Sequence, residues 1–229
     1  MPADPEAPDI LALIPAYNEA ERVAGVVAAA RRYLPVLVVD DGSSDETASG
    51  AAAAGAQVLR QNPNQGKGVA LKAGFRQALD EGYRAAITLD ADGQHDPDEI
   101  PRFLEAFQAR QPDLIVGARS FAHMPVVRRF SNSFGRWSLS WALGQPILDN
   151  QSGYRLVGRR LMQTMLDSAE SGFEFEVAMI VACVRQGYRL EWVPIRTIYV
   201  GERSHIHPLK HTLGYFRLLW WARRQSRLP

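Results

Sequence analysis

The stretch Ile87-Thr-Leu-Asp-Ala-Asp-Gly-Gln-His-Asp-Pro97 organises the chain. An apolar run from Ala85 to Leu89 predicts a buried β-strand, and the carboxylates of Asp90 and Asp92 follow its C-terminal end. In an open α/β sheet, ligands bind in the crevice at such strand ends. Carboxylates at that place suit a hard divalent cation that keeps open positions for phosphate oxygens. The stretch therefore predicts the metal and diphosphate site of an enzyme that uses a nucleotide sugar.

Three other kinds of structure place acidic residues in a similar pattern. An Asp-rich turn can merely cap a helix, and Asp96 before Pro97 is a suitable N-cap, so this alternative stays open. A calcium loop of the EF-hand type fails because its sixth position would be His95 and its twelfth Pro101. A phosphotransferase of the haloacid-dehalogenase type, with a covalent aspartate, is disfavoured because no suitable acidic pair follows Asp149.

Strand-like and helix-like segments alternate through the first half of the chain. Apolar runs predict strands at residues 10–14, 36–39, 57–60, 85–89 and 114–117. Helices are predicted between them, at about residues 18–33, 45–54, 68–80 and 97–109, with Asn18 as the cap of the first. This order predicts an α/β fold, with a Rossmann-like, mainly parallel sheet flanked by helices. Asp40 and Asp41 leave the second strand, so they are expected to face the same crevice as Asp90 and Asp92.

Composition narrows the class of protein and its surroundings. With 26 basic and 25 acidic residues the net charge is +1, so no nucleic acid partner is expected. The single cysteine, Cys183, favours a reducing compartment. Residues 1–9 lack the regions of a signal peptide, and no run approaches the roughly 18 apolar residues of a membrane span. A cytoplasmic location is therefore expected.

The length of 229 residues predicts one domain with an appendage. We expect a disordered N-terminus at residues 1–9 and a single domain at residues 10–207. Within that domain, residues 10–117 would form the nucleotide-sugar half and residues 118–207 the acceptor half. Residues 208–229 would form a separate C-terminal helix.

Two polar segments lie outside the strand-and-helix pattern of the first half. Arginines at positions 119, 128, 129, 136 and 155, interleaved with Ser131, Asn132 and Ser133, suit an anionic group, although a solvated basic helix face stays possible. The polar stretch Asp149-Asn-Gln-Ser-Gly-Tyr-Arg155 lies between apolar segments and is expected to line a site. Lys67 stands in a glycine-rich turn that matches neither a P-loop nor a dinucleotide fingerprint. It is predicted either to reach a base or phosphate or to be a solvated lysine at a helix start.

The segment at residues 208–229 is predicted to be an amphipathic helix. Its apolar and basic residues fall on separate faces by helical spacing: Leu209, Leu213, Phe216 and Trp220 on one, and Lys210, Arg217 and Arg224 on another. Tryptophans beside arginines are typical of a helix at a membrane surface, which would place the protein peripherally at the inner face of the membrane. A terminal helix packed on the domain stays the alternative.

Together the motifs resemble inverting glycosyltransferase family 2, which has a GT-A fold. The resemblance is closest to the dolichyl- or polyprenyl-phosphate mannosyltransferase branch and covers about residues 11–210. It rests on six stretches in order: Pro15-Ala-Tyr-Asn-Glu19, Val39-Asp-Asp-Gly-Ser-Ser-Asp45, Gly66-Lys-Gly-Val-Ala-Leu-Lys-Ala-Gly-Phe75, Leu89-Asp-Ala-Asp-Gly-Gln-His-Asp-Pro97, Gly117-Ala-Arg119 and Asp149-Asn-Gln-Ser-Gly-Tyr-Arg155.

The resemblance implies roles for particular residues. The donor nucleotide sugar would be held by residues that follow the first three predicted strands: Pro15, Tyr17, Asn18, Glu19, Asp41 and Lys67. Asp90, Asp92 and Gln94 would bind Mg²⁺ or Mn²⁺. The acceptor phosphate would meet Arg119, Arg128, and Ser131 or Asn132, and the family has a serine near position 132 where this chain has Asn132 between two serines. Arg155, the most distant of the clustered arginines, is also predicted to bind substrate. Arg203, Ser204 and Lys210 resemble a C-terminal segment that closes over the site. The implied catalytic set is Asp90, Asp92, Arg119 and Asp149.

The implied reaction moves a hexose, with mannose from GDP-mannose expected first, to a polyprenyl phosphate. Direct displacement at the anomeric carbon would invert an α-linked donor, and the metal would neutralise charge on the departing nucleoside diphosphate. A phosphate acceptor is already ionised, whereas a hydroxyl acceptor needs a general base such as Asp149, Glu174 or Glu176. A UDP-sugar donor with a hydroxyl acceptor, or a non-catalytic nucleotide-sugar-binding subunit, stays an alternative. A sugar nucleotidylyltransferase is disfavoured because the glycine-rich N-terminal loop of such enzymes is missing where this chain has Pro15-Ala-Tyr-Asn-Glu19.

Overall fold

The computed structural model describes residues 9–119, 126–172, 174–196 and Arg223, and it describes residues 126–134 by their helical backbone alone. Within these residues the strands are β1 (Ile10–Ala16), β2 (Val36–Asp40), β3 (Gln57–Arg60), β4 (Ala85–Thr88), β5 (Leu114–Arg119), β6 (Arg155–Gly158) and β7 (Leu190–Ile195). The helices are α1 (Val23–Ala30), α2 (Thr47–Ala53), α3 (Lys67–Asp80), α4 (Ile100–Arg110), α5 (Val126–Leu143), α6 (Arg159–Leu166) and α7 (Glu174–Arg185).

The strands form one sheet in the order β3-β2-β1-β4-β6-β5-β7. Every pair is parallel except those of β6, which runs antiparallel to both β4 and β5. The predicted α/β fold with a mainly parallel sheet is therefore confirmed. The sequence does not predict β6, because this strand is only four residues long and directly follows a polar turn.

Helices cover both faces of the sheet because the side chains of each strand alternate in direction. From β1, Leu11 and Leu13 join a buried cluster that includes Leu71 and Phe75 of α3. The alternate residues of β1 join a second buried cluster on the other face, built with α1 and α4. The core therefore lies in two layers, one on each side of the central strands.

The first helix begins later than predicted. Asn18 does not cap it, because α1 starts at Val23 and the Asn18 backbone is left-handed with φ 54°. Instead, the Asn18 side-chain oxygen accepts from Ser44 N at 2.9 Å, and Asn18 N donates to Ser43 Oγ at 2.9 Å. Asn18 therefore ties the loop after β1 to the loop after β2.

The predicted start of the helix at residues 97–109, with Asp96 as its N-cap, is confirmed. The Asp96 carboxylate accepts from Asp98 N at 3.0 Å, and Pro97 opens a short 3₁₀ turn, Pro97–Glu99, that leads into α4. Asp96 therefore caps a helix, and this role does not prevent Asp90 and Asp92, which precede it, from forming a binding site.

Several predictions fall on parts of the chain outside the described residues. These are the N-terminal residues 1–8, the closing segment with Arg203, Ser204 and Lys210, and the C-terminal helix except for Arg223. Asp9, from the predicted disordered stretch, is described, and its carboxylate lies 2.9 Å from Nη1 of Arg84. Among the described helices, none combines the length and apolarity needed to cross a bilayer.

Candidate active site

The carboxyl ends of β1, β2 and β4 bring the predicted acidic residues to one edge of the sheet. Strand β1 lies between β2 and β4 and is parallel to both. The residues that follow β2 and β4, Asp41 and Asp90, therefore leave the sheet in the same direction. This placement is the crevice that the sequence predicted.

Asp90 forms an ion pair with a lysine from another element. Nζ of Lys67, the first residue of α3, lies 2.5 Å from Oδ1 of Asp90 and 2.9 Å from Oε1 of Glu176 in the first turn of α7. Burial alone would lower the pKa of Lys67, but the two carboxylates outweigh it and raise that pKa. Burial alone would raise the pKa of Asp90, and the Lys67 ammonium outweighs it and lowers that pKa. The three groups therefore form one cluster, in which the Lys67 ammonium lies between two carboxylate groups.

His95 positions the backbone at the start of the acidic motif. Its Nδ1 accepts a hydrogen bond from Asp90 N at 3.0 Å, which places the ring proton on Nε2, 3.8 Å from Oδ2 of Asp90. Burial lowers the pKa of His95, so the ring is neutral near pH 7. His95 therefore orients Asp90 rather than acting as a charged group.

Asp92 has the least compensated charge in the motif. Its Oδ1 accepts from Gln94 N at 2.9 Å. Burial, and then the negative charge of Asp90, raise the pKa of Asp92. A carboxylate with a raised pKa next to a second carboxylate gains from a bound cation, because the cation favours the ionised form.

The oxygen ligands at this position fit a hard divalent cation. Asp90, Asp92 and Gln94 offer two carboxylates and an amide, which are ligands that Mg²⁺ and Mn²⁺ accept. Within the described ranges, no group of three or more acidic, histidine or cysteine side chains has metal-binding geometry. An ion held here would therefore rely on water and diphosphate oxygens for its other ligands.

The loop that leads to Lys67 is held by Asp41. This carboxylate is buried, and its two oxygens accept from Gln65 N at 2.9 Å and Gly66 N at 2.7 Å. The described contacts of Asp41 therefore shape the turn before α3, and a direct contact with the nucleoside stays a prediction. Tyr17 is 50% exposed at the end of β1, where a nucleoside could contact its ring.

The other two predicted donor residues flank Tyr17. Pro15 pairs with Val39 inside the sheet, in the part of β1 that leads to Tyr17. Glu19 follows the tyrosine, and its carboxylate lies 3.2 Å from Nη1 of Arg22. The described structure thus gathers Pro15, Tyr17, Asn18 and Glu19 at the carboxyl end of β1.

Arg119 and Asp149 form a bidentate ion pair on the other side of the crevice. Nε of Arg119 lies 2.7 Å from Oδ2 of Asp149, and Nη2 lies 3.0 Å from Oδ1. Asp149 is 1% exposed and also accepts from the backbone amides of Gln151 and Ser152. Burial would raise the pKa of Asp149, but Arg119 and these amides outweigh it and lower that pKa. Asp149 is therefore a weak base that holds Arg119 in place.

The turn at residues 149–155 joins the two sides of the site. The Tyr154 ring stacks on His95 at 5.0 Å and on Phe103 at 4.6 Å between ring centroids, and its hydroxyl donates to the Asp96 carbonyl oxygen at 3.1 Å. One end of the turn thus contacts Arg119 and the other contacts the acidic motif. This stack was not predicted, because nothing in the local pattern marks Tyr154 as a partner of His95.

Arg155 does not lie in the open site. Its side chain is fully buried, Nε donates to the Ser152 carbonyl oxygen at 2.7 Å, and Nη1 donates to the Glu176 carbonyl oxygen. Nη2 of Arg155 is buried without a hydrogen-bond partner among the described residues, and a contact between Arg155 and the substrate stays a prediction. Arg155 connects the turn at residues 149–155 to the start of α7.

Gly153 gives the acidic motif room to approach α7. A Cβ at this position would lie 2.8 Å from Oε1 of Glu176 and 2.9 Å from Oδ2 of Asp90. Gly153→Ala is therefore expected to displace both carboxylates, lower the activity of the site at least about tenfold and destabilise the protein by about 1–3 kcal/mol. Initial rates and urea unfolding measure the two effects.

Gly25→Ala is the matched control for Gly153→Ala. Gly25 lies within α1 and has nothing within 4 Å of an added Cβ. The substitution is expected to keep full activity and to stabilise the protein by about 0.5–1 kcal/mol, since alanine favours helix more than glycine does. Unchanged activity in Gly153→Ala would contradict the close packing described here.

The other residues predicted to contact the acceptor lie on α5. Arg128, Ser131 and Asn132 occupy helical positions i, i+3 and i+4, so they share one face of that helix. Their side chains lie outside the described part of the structure, and a contact with phosphate stays a prediction.

Comparison with known proteins identifies the family. A model described as Glycosyl transferase family 2 matches residues 12–167, which is more than half of the chain. The chain belongs to glycosyltransferase family 2. It is therefore a glycosyltransferase, and the matched residues contain the acidic motif, the Lys67 turn, Arg119 and Asp149.

Relatives that align over at least three quarters of both chains carry names of enzymes for polyprenyl- or dolichyl-linked sugars. Undecaprenyl-phosphate mannosyltransferase of Micrococcus luteus is 36% identical over 204 residues, covering 81% of this chain and 82% of the relative. Polyprenol monophosphomannose synthase of Mycolicibacterium smegmatis is 31% identical over 205 residues, covering 81% and 76%. A UDP-N-acetylglucosamine–dolichyl-phosphate N-acetylglucosaminyltransferase of Methanococcus voltae is 26% identical over 239 residues, covering 92% and 94%. The resemblance to family 2 and to the predicted branch is confirmed.

Solved structures confirm the fold of this glycosyltransferase. Glucosyl-3-phosphoglycerate synthase of Mycobacterium tuberculosis, in complex with Mn²⁺, UDP and phosphoglyceric acid, has a TM-score of 0.72 at 17% identity, covering 96% of this chain and 79% of that one. The same enzyme with Mg²⁺ and UDP has a TM-score of 0.68 at 18% identity, covering 93% and 77%. At these identities the similarity shows the GT-A fold alone.

Proposed function

We propose that this glycosyltransferase transfers a hexose from a nucleotide sugar to the phosphate of a polyprenyl phosphate. The observation that carries the proposal is that the two buried candidates for a general base are held in ion pairs. Asp149 is paired with Arg119, and Glu176 is paired with Lys67. Oε1 of Glu174 accepts from the nearby Gly172 N at 3.3 Å. A phosphate acceptor needs no base, because its oxygen is already ionised near pH 7.

Positive charge near the reacting groups supports an anionic acceptor. Arg119 is held rigidly by Asp149 and keeps a partly exposed side chain, at 19%. A planar guanidinium fixed in this way can orient a phosphate for attack without giving up its ion pair, because it carries five N–H donors. Arg128, on α5, is proposed as the second cation. The arginines would then position the acceptor while the donor is held at the acidic motif.

The names of the relatives support a polyprenyl phosphate as the acceptor more strongly than they support mannose as the sugar. Two relatives are named for mannose and one for N-acetylglucosamine, whereas all three are named for a polyprenyl or dolichyl lipid. We therefore propose GDP-mannose as the first donor to test, with UDP-sugars as the second choice.

A divalent metal ion is proposed to support departure of the nucleoside diphosphate. Asp90, Asp92 and Gln94 would hold Mg²⁺ or Mn²⁺, and the ion would neutralise the charge that grows on the diphosphate. His95 and Tyr154 keep this motif in place through the contacts described above. The solved relatives with Mn²⁺ or Mg²⁺ and UDP support this use of metal.

We further propose that the enzyme works peripherally at the inner face of the membrane, from the cytoplasmic side. Trp137 and Trp141, one turn apart on α5, are 65% and 56% exposed. The guanidinium of Arg223 lies 4.4 Å from the centre of the Trp141 ring. Exposed tryptophans beside cations are typical of surfaces at the lipid headgroup level. Such a surface on α5 would bring the enzyme to the membrane that holds a polyprenyl phosphate.

A transfer assay with paired acceptors tests the proposal. Purified protein is incubated with Mn²⁺, labelled GDP-mannose, UDP-glucose or UDP-N-acetylglucosamine, and a short polyprenyl phosphate, and lipid is then extracted. The matched control acceptor is the same polyprenol without its phosphate. We expect label in the organic phase with the phosphate only. Equal labelling of the alcohol would contradict the phosphate acceptor, because it would require a general base.

A further inference from the structure

The ammonium of Lys67 occupies the place beside Asp90 where a metal ion would bind. Its ammonium lies 2.5 Å from Oδ1 of Asp90, the first carboxylate of the proposed metal site. A divalent ion on the same carboxylate would be repelled by this ammonium, because two cations a few ångströms apart interact strongly in a partly buried site. Lys67 and Asp90 are only 23% and 28% exposed, so water screens the repulsion poorly.

Glu176 gives Lys67 a second partner at the same place. Its carboxylate is 9% exposed, and Oε1 lies 2.9 Å from Nζ. The backbone around Lys67 is also fixed, because Asp41 accepts from Gly66 N and Gly68 N donates to the Ser171 carbonyl oxygen at 3.0 Å. The lysine side chain, with four rotatable bonds, is therefore the part that can leave Asp90 while its backbone stays in place.

We propose that Lys67, whose ammonium is shared between Asp90 and Glu176, blocks Asp90 until a nucleoside diphosphate draws the ammonium away, so that metal and nucleotide bind together rather than separately. This inference rests on the proposed function, since it assigns the diphosphate and the metal to this crevice. The diphosphate carries more negative charge than Asp90 and can pair with an ammonium from α3. Lys67 would then contact the leaving group while Asp90 becomes free for the ion. Glu176 is a positioning residue that acts through Lys67, because it draws part of the ammonium's charge away from Asp90.

The charges predict opposite effects for two substitutions. Lys67→Met leaves Asp90 and Glu176 without the ammonium that pairs with both, so Mn²⁺ without nucleotide should bind at least about tenfold more tightly. Glu176→Gln leaves Lys67 paired with Asp90 alone and removes one negative charge, so Mn²⁺ without nucleotide should bind about threefold to tenfold more weakly. In Lys67→Met, the factor by which GDP or UDP tightens Mn²⁺ binding should fall about tenfold, because no lysine has to be displaced.

Free Mn²⁺, measured by electron paramagnetic resonance with and without GDP or UDP, tests the inference without an activity assay. The matched control is Lys72→Met, on the same helix. Its ammonium lies over the Phe175 ring and donates to the Ser168 carbonyl oxygen, away from the acidic motif. It should match the wild type in every binding measurement. Circular dichroism checks that each variant is folded, and Glu176→Gln keeps the test decisive if Lys67→Met does not fold.

Each outcome separates the inference from the proposed function. Equal nucleotide-free Mn²⁺ affinity in the wild type, Lys67→Met and Glu176→Gln would overturn the inference and leave the transferase proposal standing. If Lys67→Met is not folded, an unchanged affinity in Glu176→Gln overturns it. Absence of Mn²⁺ binding by the wild type with either nucleotide would overturn both the metal site of the proposed function and the inference.

Discussion

Asp92→Asn is expected to lower kcat/KM for glycosyl transfer by about 10²- to 10³-fold. The substitution keeps the size of the side chain and removes the carboxylate whose charge is least compensated in the motif. The pKa of Asp92 is raised by burial and by Asp90, which identifies a group that gains from a cation nearby. Loss of this charge should weaken the metal site, and with it the neutralisation of the departing diphosphate.

Kinetics at several Mn²⁺ concentrations measure this effect. The matched control is Asp98→Asn, six residues further on, where the exposed carboxylate contacts Arg32 and accepts from the Tyr33 hydroxyl at 2.9 Å. Because exposed ion pairs contribute little, the control should stay within about twofold of the wild type in rate and within about 1 kcal/mol in stability. An Asp92→Asn enzyme within threefold of wild-type activity would exclude Asp92 as an essential metal ligand.

Asp149→Asn is expected to affect both stability and acceptor binding. The variant keeps an oxygen for the amides of Gln151 and Ser152 but loses the charge that pairs with Arg119. We expect the free energy of unfolding to fall by about 2–3 kcal/mol at pH 7. This is less than for a fully buried ion pair, because Arg119 keeps some contact with water. The KM for polyprenyl phosphate should rise about tenfold to 100-fold, since Arg119 is no longer held in one orientation.

The stability effect of Asp149 has a defined pH dependence. The pKa of Asp149 is lower in the folded protein than in the unfolded chain, so its contribution is fully present above the unfolded value, near 4. That contribution is lost as the pH falls through the lowered folded value. The difference in unfolding free energy between the wild type and Asp149→Asn should therefore be constant from pH 6 to 8 and shrink below about pH 4. Urea unfolding across this range measures it.

Asp113→Asn separates acceptor binding from general stability. Asp113 precedes β5, at the end of the strand opposite to Arg119, and its Oδ2 accepts from Arg189 N at 3.0 Å. This variant should lose some stability without any change in the KM for the acceptor. If Asp149 were instead a general base, Asp149→Asn would lower kcat with little change in acceptor KM, and that result would reject the role assigned here.

The sheet could be predicted because its signals are local. Each apolar run marks its own strand, and the alternation with helices implies parallel pairing, which the structure confirms for β1 to β4. The location of the acidic motif could be predicted for the same reason, since residues directly after neighbouring parallel strands lie at the same edge of the sheet. Strand β6 was missed because four residues carry too little pattern and antiparallel insertion depends on β4 and β5.

Arg155 and Glu176 show where local reasoning stops. Both were singled out as charged residues in suitable segments, and the structure gives them contacts that neighbouring sequence does not encode. Arg155 is buried against backbone carbonyls, and Glu176 is paired with a lysine from a distant helix. The burial of a charged side chain depends on which elements pack around it, so sequence spacing cannot indicate it.

By itself, the sequence determined the α/β class, the edge of the sheet that carries the site, and the acidic residues placed there. These depend on residues close together along the chain, whose directions follow from strand and helix geometry. Only the tertiary structure decided that Lys67 lies between Asp90 and Glu176, that Asp149 is paired with Arg119, and that Tyr154 stacks on His95. Those contacts join residues from separate elements, and the packing of the elements brings them within reach of one another.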